Sequence, residues 1–184
     1  MRNRTIIPAL LALLVSAGCA KQEQATYDKQ SGYIESFIST QMGKDATATL
    51  TRNGGAYRLT LHDTLDPTRD SLAWGQRVSL YYGCFTLTSA SLSTSNLVAT
   101  NFKELAAQAK WDTSDESRFQ LDTITLDASL VPGLADGLAG VQPQDEGYIL
   151  FTGKYGYGKN EKGTIPALSA LVYYILIDEI LPNE

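Results

Sequence analysis

Residues 153–160 carry the residue types of a phosphate-binding loop. They read Gly-Lys-Tyr-Gly-Tyr-Gly-Lys-Asn and follow a predicted strand, the context in which a glycine-rich loop wraps a phosphate. The last position does not fit, because Asn160 has no hydroxyl group for Mg²⁺. Glu161 and Pro166 then prevent the helix whose N-terminus would face the phosphate. We therefore do not expect a nucleotide site here.

Metal and nucleophile chemistry lack the side chains that they need. His62 is the single histidine of the chain, and Cys84 is the single cysteine after Cys19. One histidine without a cysteine cluster does not form a common zinc site. A thiol so far from the other cysteine has no disulfide partner and is most often buried. We expect no metal and no cofactor, and we interpret Cys84 as a small buried side chain, with a reactive thiol as the alternative.

The charge balance limits the partners. Fifteen Lys and Arg stand against twenty Asp and Glu, which gives a net charge of -5 over 184 residues. A protein with this balance offers no basic footprint to nucleic acid. With 43% hydrophobic residues, the chain is long enough for one well-packed domain and a tether. Nucleic acid is therefore excluded as an expected partner.

The N-terminus has the parts of an export signal. Arg2 and Arg4 precede an apolar run at residues 6–15, and the small residues 16–18 follow it. An apolar run of this length is too short to span a bilayer. We therefore predict a signal peptide at residues 1–18.

A cysteine directly after small residues suggests a lipid anchor. The segment before Cys19 resembles the bacterial lipobox, whose thiol receives diacylglycerol before cleavage, although Ser16 stands where Leu is usual. We predict lipidation of Cys19, a solvated tether at residues 19–26 and attachment to a membrane of the cell envelope, on its periplasmic side or outer surface. A plain secretory signal is the alternative.

Hydrophobic periodicity places a helix and a hairpin ahead of a strand-rich region. Apolar residues at spacings near three, four and seven favour an amphipathic helix at residues 27–41. Asn53-Gly54-Gly55 supplies positive φ angles for a hairpin. Further strands are predicted at residues 77–82, 84–87, 120–126, 148–152 and 171–177, with short helices at residues 102–109 and 132–142. This order favours an α+β fold in which an antiparallel sheet curls over a short helix.

Several motifs follow one another in the second half of the chain. They are Val-Ser-Leu-Tyr-Tyr-Gly at 78–83, Val-Pro-Gly-Leu-Ala-Asp-Gly-Leu at 131–138, Tyr-Gly-Tyr-Gly at 155–158, Gly-Thr-Ile-Pro at 163–166 and Ala-Leu-Val-Tyr at 170–173. In this order they resemble the FKBP-type peptidyl-prolyl isomerases. The resemblance spans about residues 74–181, with an insertion near residues 89–118.

The resemblance implies a sheet of five or six antiparallel strands around the helix, with an apolar pocket between them. Carried over to this sequence, the catalytic residues would be Tyr81 and Tyr157, and the substrate-binding residues would be Leu130, Val131, Leu134, Ile165, Tyr173 and Val98. Prolyl isomerisation needs no nucleophile or metal, because its barrier of roughly 20 kcal/mol comes from amide resonance. Resonance weakens when the carbonyl leaves water, so an apolar slot suffices.

This reading divides the mature chain in two. Residues 27–70 would form an extension made of the helix and the hairpin, and residues 71–184 would form the FKBP-like domain. The expected clients are proline-containing polypeptides. Nothing in the sequence predicts an oligomeric state.

Two positions depart from the family's usual pocket. Members usually carry Phe-Asp after the first strand, where this chain has Val98-Ala99, and no nearby carboxylate replaces the missing one. The floor position, commonly Trp, is Leu134. Two functions stay open: an isomerase for Xaa-Pro bonds of exported or envelope proteins, and a non-catalytic FKBP-fold module that binds extended peptides or assists folding.

Overall fold

A computed structural model describes residues 7–62 and 68–182, with side chains described from residue 20 onward. Residues 1–6 of the predicted export signal and the side chains of residues 7–19, Cys19 among them, lie outside this description. The division of the chain at residue 70 stays a prediction.

Helix α1 spans Ile7–Met42 and contains the helix predicted at residues 27–41. It also runs through residues 20–26, which the sequence assigned to a solvated tether. The reason is local, since Lys, Gln, Glu and Ala all have high helix propensity. The buried side of α1 carries Tyr27, Ile34, Phe37 and Ile38.

The strands form one antiparallel sheet. They are β1 (Thr49–Asn53), β2 (Ala56–Leu61), β3 (Arg77–Thr86), β4 (Leu97–Thr100), β5 (Asp122–Thr125), β6 (Glu146–Phe151) and β7 (Leu171–Leu181). Their order is β1-β2-β6-β7-β3-β4, and β5 also pairs with β3. Two short helices, α2 (Lys103–Gln108) and α3 (Pro132–Leu138), complete the fold.

The hairpin prediction is confirmed, and the hairpin belongs to the main sheet. Gly54 lies in the turn with a φ of +51°, a conformation that glycine adopts without strain. β2 then pairs along its whole length with β6. Two further differences concern the region after Asp70. β3 is one continuous strand through Gly83, where two strands were predicted at residues 77–82 and 84–87, and β4 was not predicted as a strand.

The sheet separates two apolar layers. On its inner face α3 packs closely on β6, because Gly133 and Gly137 have no Cβ that would overlap Phe151 and Ile149. On its outer face α1 covers β2, β6 and β7, with Phe37 packing edge-on against Tyr148. The predicted α+β class, with an antiparallel sheet around a short helix, is therefore confirmed.

Candidate functional site

A cavity of about 380 Å³ opens between the inner face of the sheet and α3. We call it the inner cavity. Strand β3, the end of β4, β5 and β7 form its floor, while α3 and the connection before it form one wall. Residues 153–168, which we call the pocket loop, form the other wall between β6 and β7.

Six residues predicted from the sequence meet in this cavity. They are Leu130, Val131, Leu134, Tyr157, Ile165 and Tyr173. They come from three separate parts of the chain: the turn into α3, the pocket loop and the last strand. The structure therefore assembles most of the expected pocket at one place.

Tyr81 was predicted as a pocket residue, but its side chain does not line the inner cavity. Side chains alternate between the two faces of a strand, and the buried Leu80 and Cys84 of β3 point to the inner core. Tyr82 shares their face and lines the cavity. Tyr81 points to the other face, where its ring lies 5.8 Å from that of Phe102.

Val98, predicted as a substrate-binding residue, does not line the inner cavity either. The pairing of β3 with β4 shifts between Cys84, opposite Ala99, and Phe85, opposite Leu97. Val98 is thus the extra residue of a β-bulge, which re-aims its side chain. It lines a neighbouring cavity with Pro166, whereas Ala99 lines the inner cavity.

Sequence reasoning missed several lining residues: Tyr82, Cys84, Asp122, Ile124, Ser129 and Lys162. Alternation along β3 was the available signal for Tyr82 and Cys84. Asp122 enters because β5 pairs with β3 and sets it opposite Leu80, on the inner face. The cavity thus has a carboxylate, supplied by β5 instead of position 99, although the Asp122 side chain is exposed.

The phenols of the cavity stay protonated. Burial raises the pKa of Tyr173 and of Tyr82, and the charge of Asp122 raises the pKa of Tyr82 further. Burial likewise raises the pKa of Tyr157. Burial also raises the pKa of the Cys84 thiol to about 11, and the nearby Tyr173 hydroxyl only partly offsets that rise. At neutral pH the phenols are therefore neutral donors beside the apolar side chains, Asp122 and Lys162 are the charged residues of the cavity, and the thiol is not a thiolate nucleophile.

Gln30 ties the pocket loop to α1. Its side-chain amide donates to the carbonyl of Leu168 at one end of the loop, and its carbonyl oxygen accepts from the N–H of Gly153 at the other end, at 2.9 Å. Gln30 is only 8% exposed. One buried side chain therefore holds both ends of the loop that carries Tyr157.

The pocket loop is also bonded within itself. The N–H of Leu168 donates to the carbonyl of Gly158 at 2.6 Å, and the N–H of Gly158 donates to the carbonyl of Gly153 at 2.9 Å. On the surface, the Lys159 ammonium lies 2.7 Å from the Glu23 carboxylate of α1. These contacts give the loop one defined shape.

Within residues 7–62 and 68–182, no helix is both long and apolar enough to cross a membrane. The same part of the chain brings no three His, Cys, Asp or Glu side chains together as ligands for a metal ion.

Comparison with known proteins agrees with this geometry at the level of the fold. No family model matches the sequence, and no curated protein does. Among solved structures, FkpA from Escherichia coli is 16% identical with a TM-score of 0.56, covering 95% of this chain and 69% of that one. A peptidyl-prolyl cis-trans isomerase from Pseudomonas syringae pv. tomato is 14% identical with a TM-score of 0.54, covering 86% of this chain and 96% of that one.

A plant domain is similar as well. The N-terminal domain of FKBP42 from Arabidopsis thaliana is 14% identical with a TM-score of 0.51, covering 73% of this chain and 93% of that domain. The coverage by FkpA leaves out only about 5% of the chain, so that match includes most of α1 and the β1–β2 hairpin. The chain has the fold of the FKBP-type peptidyl-prolyl isomerases.

Proposed function

We propose that the protein is a peptidyl-prolyl cis-trans isomerase whose site is the inner cavity. The observation that carries the proposal is the lining of this cavity, in which aliphatic side chains lie beside protonated phenols and a neutral thiol, with Asp122 and Lys162 as its charged residues. The FKBP-type fold supports the same reaction class.

The chemistry needs desolvation and positioning. A proline ring entering the cavity packs against Leu134 and Ile165, which lie on α3 and the pocket loop. The carbonyl before proline then leaves water, and its amide loses part of the resonance that makes rotation slow. Tyr157 and Tyr82 both line the cavity, and their hydroxyl groups donate hydrogen bonds to that carbonyl oxygen and hold the substrate in place during rotation.

Clients and location are part of the proposal. We propose that the protein acts on Xaa-Pro bonds of exported or envelope polypeptides and that lipid on Cys19 holds it at a bacterial membrane. Partition into detergent tests the anchor: Cys19→Ser protein should remain in the aqueous phase, and retention of the variant in the detergent phase contradicts lipidation.

A protease-coupled assay on a proline-containing peptide tests the isomerase. The full chain should shorten the slow phase of cleavage, and Tyr157→Phe should slow catalysis about tenfold, as expected for one lost hydrogen bond, with unchanged unfolding. Lys154→Met is the matched control, because Lys154 lies in the same loop with an exposed side chain outside the cavity. A rate equal to the uncatalysed one contradicts the proposal and leaves a peptide-binding module.

A further inference from the structure

A second cavity lies on the outer face of the sheet. Its volume is about 390 Å³, and it is bounded by β3, β6 and β7 below and by α2 and the turn at residues 92–94 above. We call it the outer groove. It shares no lining residue with the inner cavity.

Aromatic rings form the floor and one side of the outer groove. Phe102 and Tyr174 are nearly parallel, with ring centroids 6.4 Å apart, and Tyr148 lies 5.4 Å from Tyr174. Phe85 adds a fourth ring among the lining residues. Gly83, opposite Tyr174 in the sheet, leaves room for Leu105 of α2 to pack over the strand. The faces of such rings carry partial negative charge.

The charged residues of the groove have one sign. Glu146 and Glu104 line it, and among the described residues that do so none is Lys or Arg. Glu146 is half-buried, and its carboxylate accepts a hydrogen bond of 2.8 Å from the neutral hydroxyl of Tyr174. The nearest lysine along α2, Lys103, is ion-paired with Glu116.

We propose that the outer groove binds the guanidinium group of an arginine side chain from a partner polypeptide. A planar cation stacks on Phe102 and Tyr174 while its N–H groups donate to the Glu146 carboxylate. An ammonium group offers no flat face for the rings, and an apolar side chain leaves the half-buried carboxylate without a counter-charge. Charge complementarity thus selects a basic segment as the occupant.

The site is independent of the proposed isomerase activity, so its test measures binding alone. Acetyl-arginine amide is titrated into the full chain in mild detergent and followed by NMR, with acetyl-citrulline amide as the uncharged isostere. We expect the arginine compound to bind, and the citrulline compound to bind at least about tenfold more weakly because it lacks the charge.

Three variants locate the site. Glu146→Gln keeps the shape of the side chain and should weaken arginine binding at least about fivefold, while Glu104→Gln should weaken it less, because Glu104 is exposed. Asp122→Asn in the inner cavity is the matched control and should bind arginine as the parent chain does. If Glu146→Gln does not fold, the comparison of Glu104→Gln with the control Asp122→Asn tests the proposal.

Three results overturn the proposal. One is equal binding of arginine and citrulline compounds, and another is no arginine binding up to about 10 mM. The third is that Asp122→Asn loses arginine binding while Glu146→Gln and Glu104→Gln keep it. This result would place the arginine site in the inner cavity.

Discussion

Two cavities of about 380 and 390 Å³ lie on opposite faces of one sheet, and neighbouring residues of the same strand line them. Tyr173 of β7 faces the inner cavity and Tyr174 faces the outer groove. Their surroundings differ. The inner cavity is walled by a long loop and a helix packed tightly on the sheet, whereas the outer groove is covered by a single six-residue helix and a turn.

The two cavities differ in the charges that line them. Burial raises the pKa values of the phenols on both faces, so these side chains are neutral in both cavities. The inner cavity has one carboxylate and one ammonium group, Asp122 and Lys162, whereas the charged residues that line the outer groove are Glu104 and Glu146. The same strands therefore present one site with mixed charges and one aromatic site whose charges are acidic.

The largest expected effect is on packing of the inner face. Phe151→Ala should lower the free energy of unfolding by about 3–5 kcal/mol, because the ring is fully buried between Gly133 of α3 and Tyr173. Tyr174→Leu, at the half-buried outer groove, should lower it by only about 1 kcal/mol. Urea denaturation measures both variants, and an equal loss contradicts the contrast between a packed and an open face.

The second effect concerns the pocket loop. Gln30→Leu removes two hydrogen bonds and leaves the N–H of Gly153 and the carbonyl of Leu168 without this partner, so unfolding should become easier by about 2–3 kcal/mol. Amide exchange at Gly153 should accelerate. Gln24→Leu, on the exposed side of the same helix, is the matched control and should change neither quantity. If amide exchange at Gly153 is unchanged in Gln30→Leu, the hydrogen bonds within the pocket loop are sufficient to order it without Gln30.

A third comparison separates the two faces of β3. Tyr82→Phe should lower isomerase activity about tenfold, because its hydroxyl lies in the inner cavity, while Tyr81→Phe should leave activity unchanged. Both exchanges keep the ring, so folding is preserved. The reverse outcome in the coupled assay restores Tyr81 as the pocket residue.

The smallest expected effect is on the pH dependence of stability, and it comes from Asp45, which lines neither cavity. The Asp45 carboxylate accepts hydrogen bonds from the His62 N–H, at 2.7 Å, and from the hydroxyl and N–H of Thr47, and these bonds lower its pKa from 3.8 to about 2. A lowered pKa stabilises the fold above pH 3.8, and that stabilisation is lost as the pH falls toward 2.

Asp45→Asn should therefore show a weaker loss of stability between pH 4 and 2 than the parent chain, with both cavities intact. Thermal unfolding as a function of pH measures this. Parallel curves for the two proteins contradict the assignment.

The sequence predicted the fold and six lining residues because several motifs follow one another in the order typical of the FKBP family. It failed where the face of a strand had to be known. Tyr81 and Tyr82 are adjacent, and only the buried partners of β3 decide which one points inward. The bulge at Val98 depends on pairing between β3 and β4, which local sequence does not encode.

The sequence also indicates that Gln30 is buried. It lies three residues after Tyr27 and four before Ile34, so it sits in the buried stripe of α1. A polar residue inside such a stripe indicates a buried hydrogen-bond partner. Its partners lie 123 and 138 residues away along the chain, and only the folded sheet brings them together.

The length of strand β7 matters to both cavities, because its neighbouring residues Tyr173 and Tyr174 line opposite faces of the sheet. Insertion or deletion of one residue next to them would exchange the faces of the side chains on one side of the change and so alter both cavities at once. The strand already accommodates one extra residue at Asp178, where pairing with β3 shifts between Ser79 and Leu80. That bulge lies beyond Tyr173 and Tyr174, so the extra residue leaves the linings of both cavities in register.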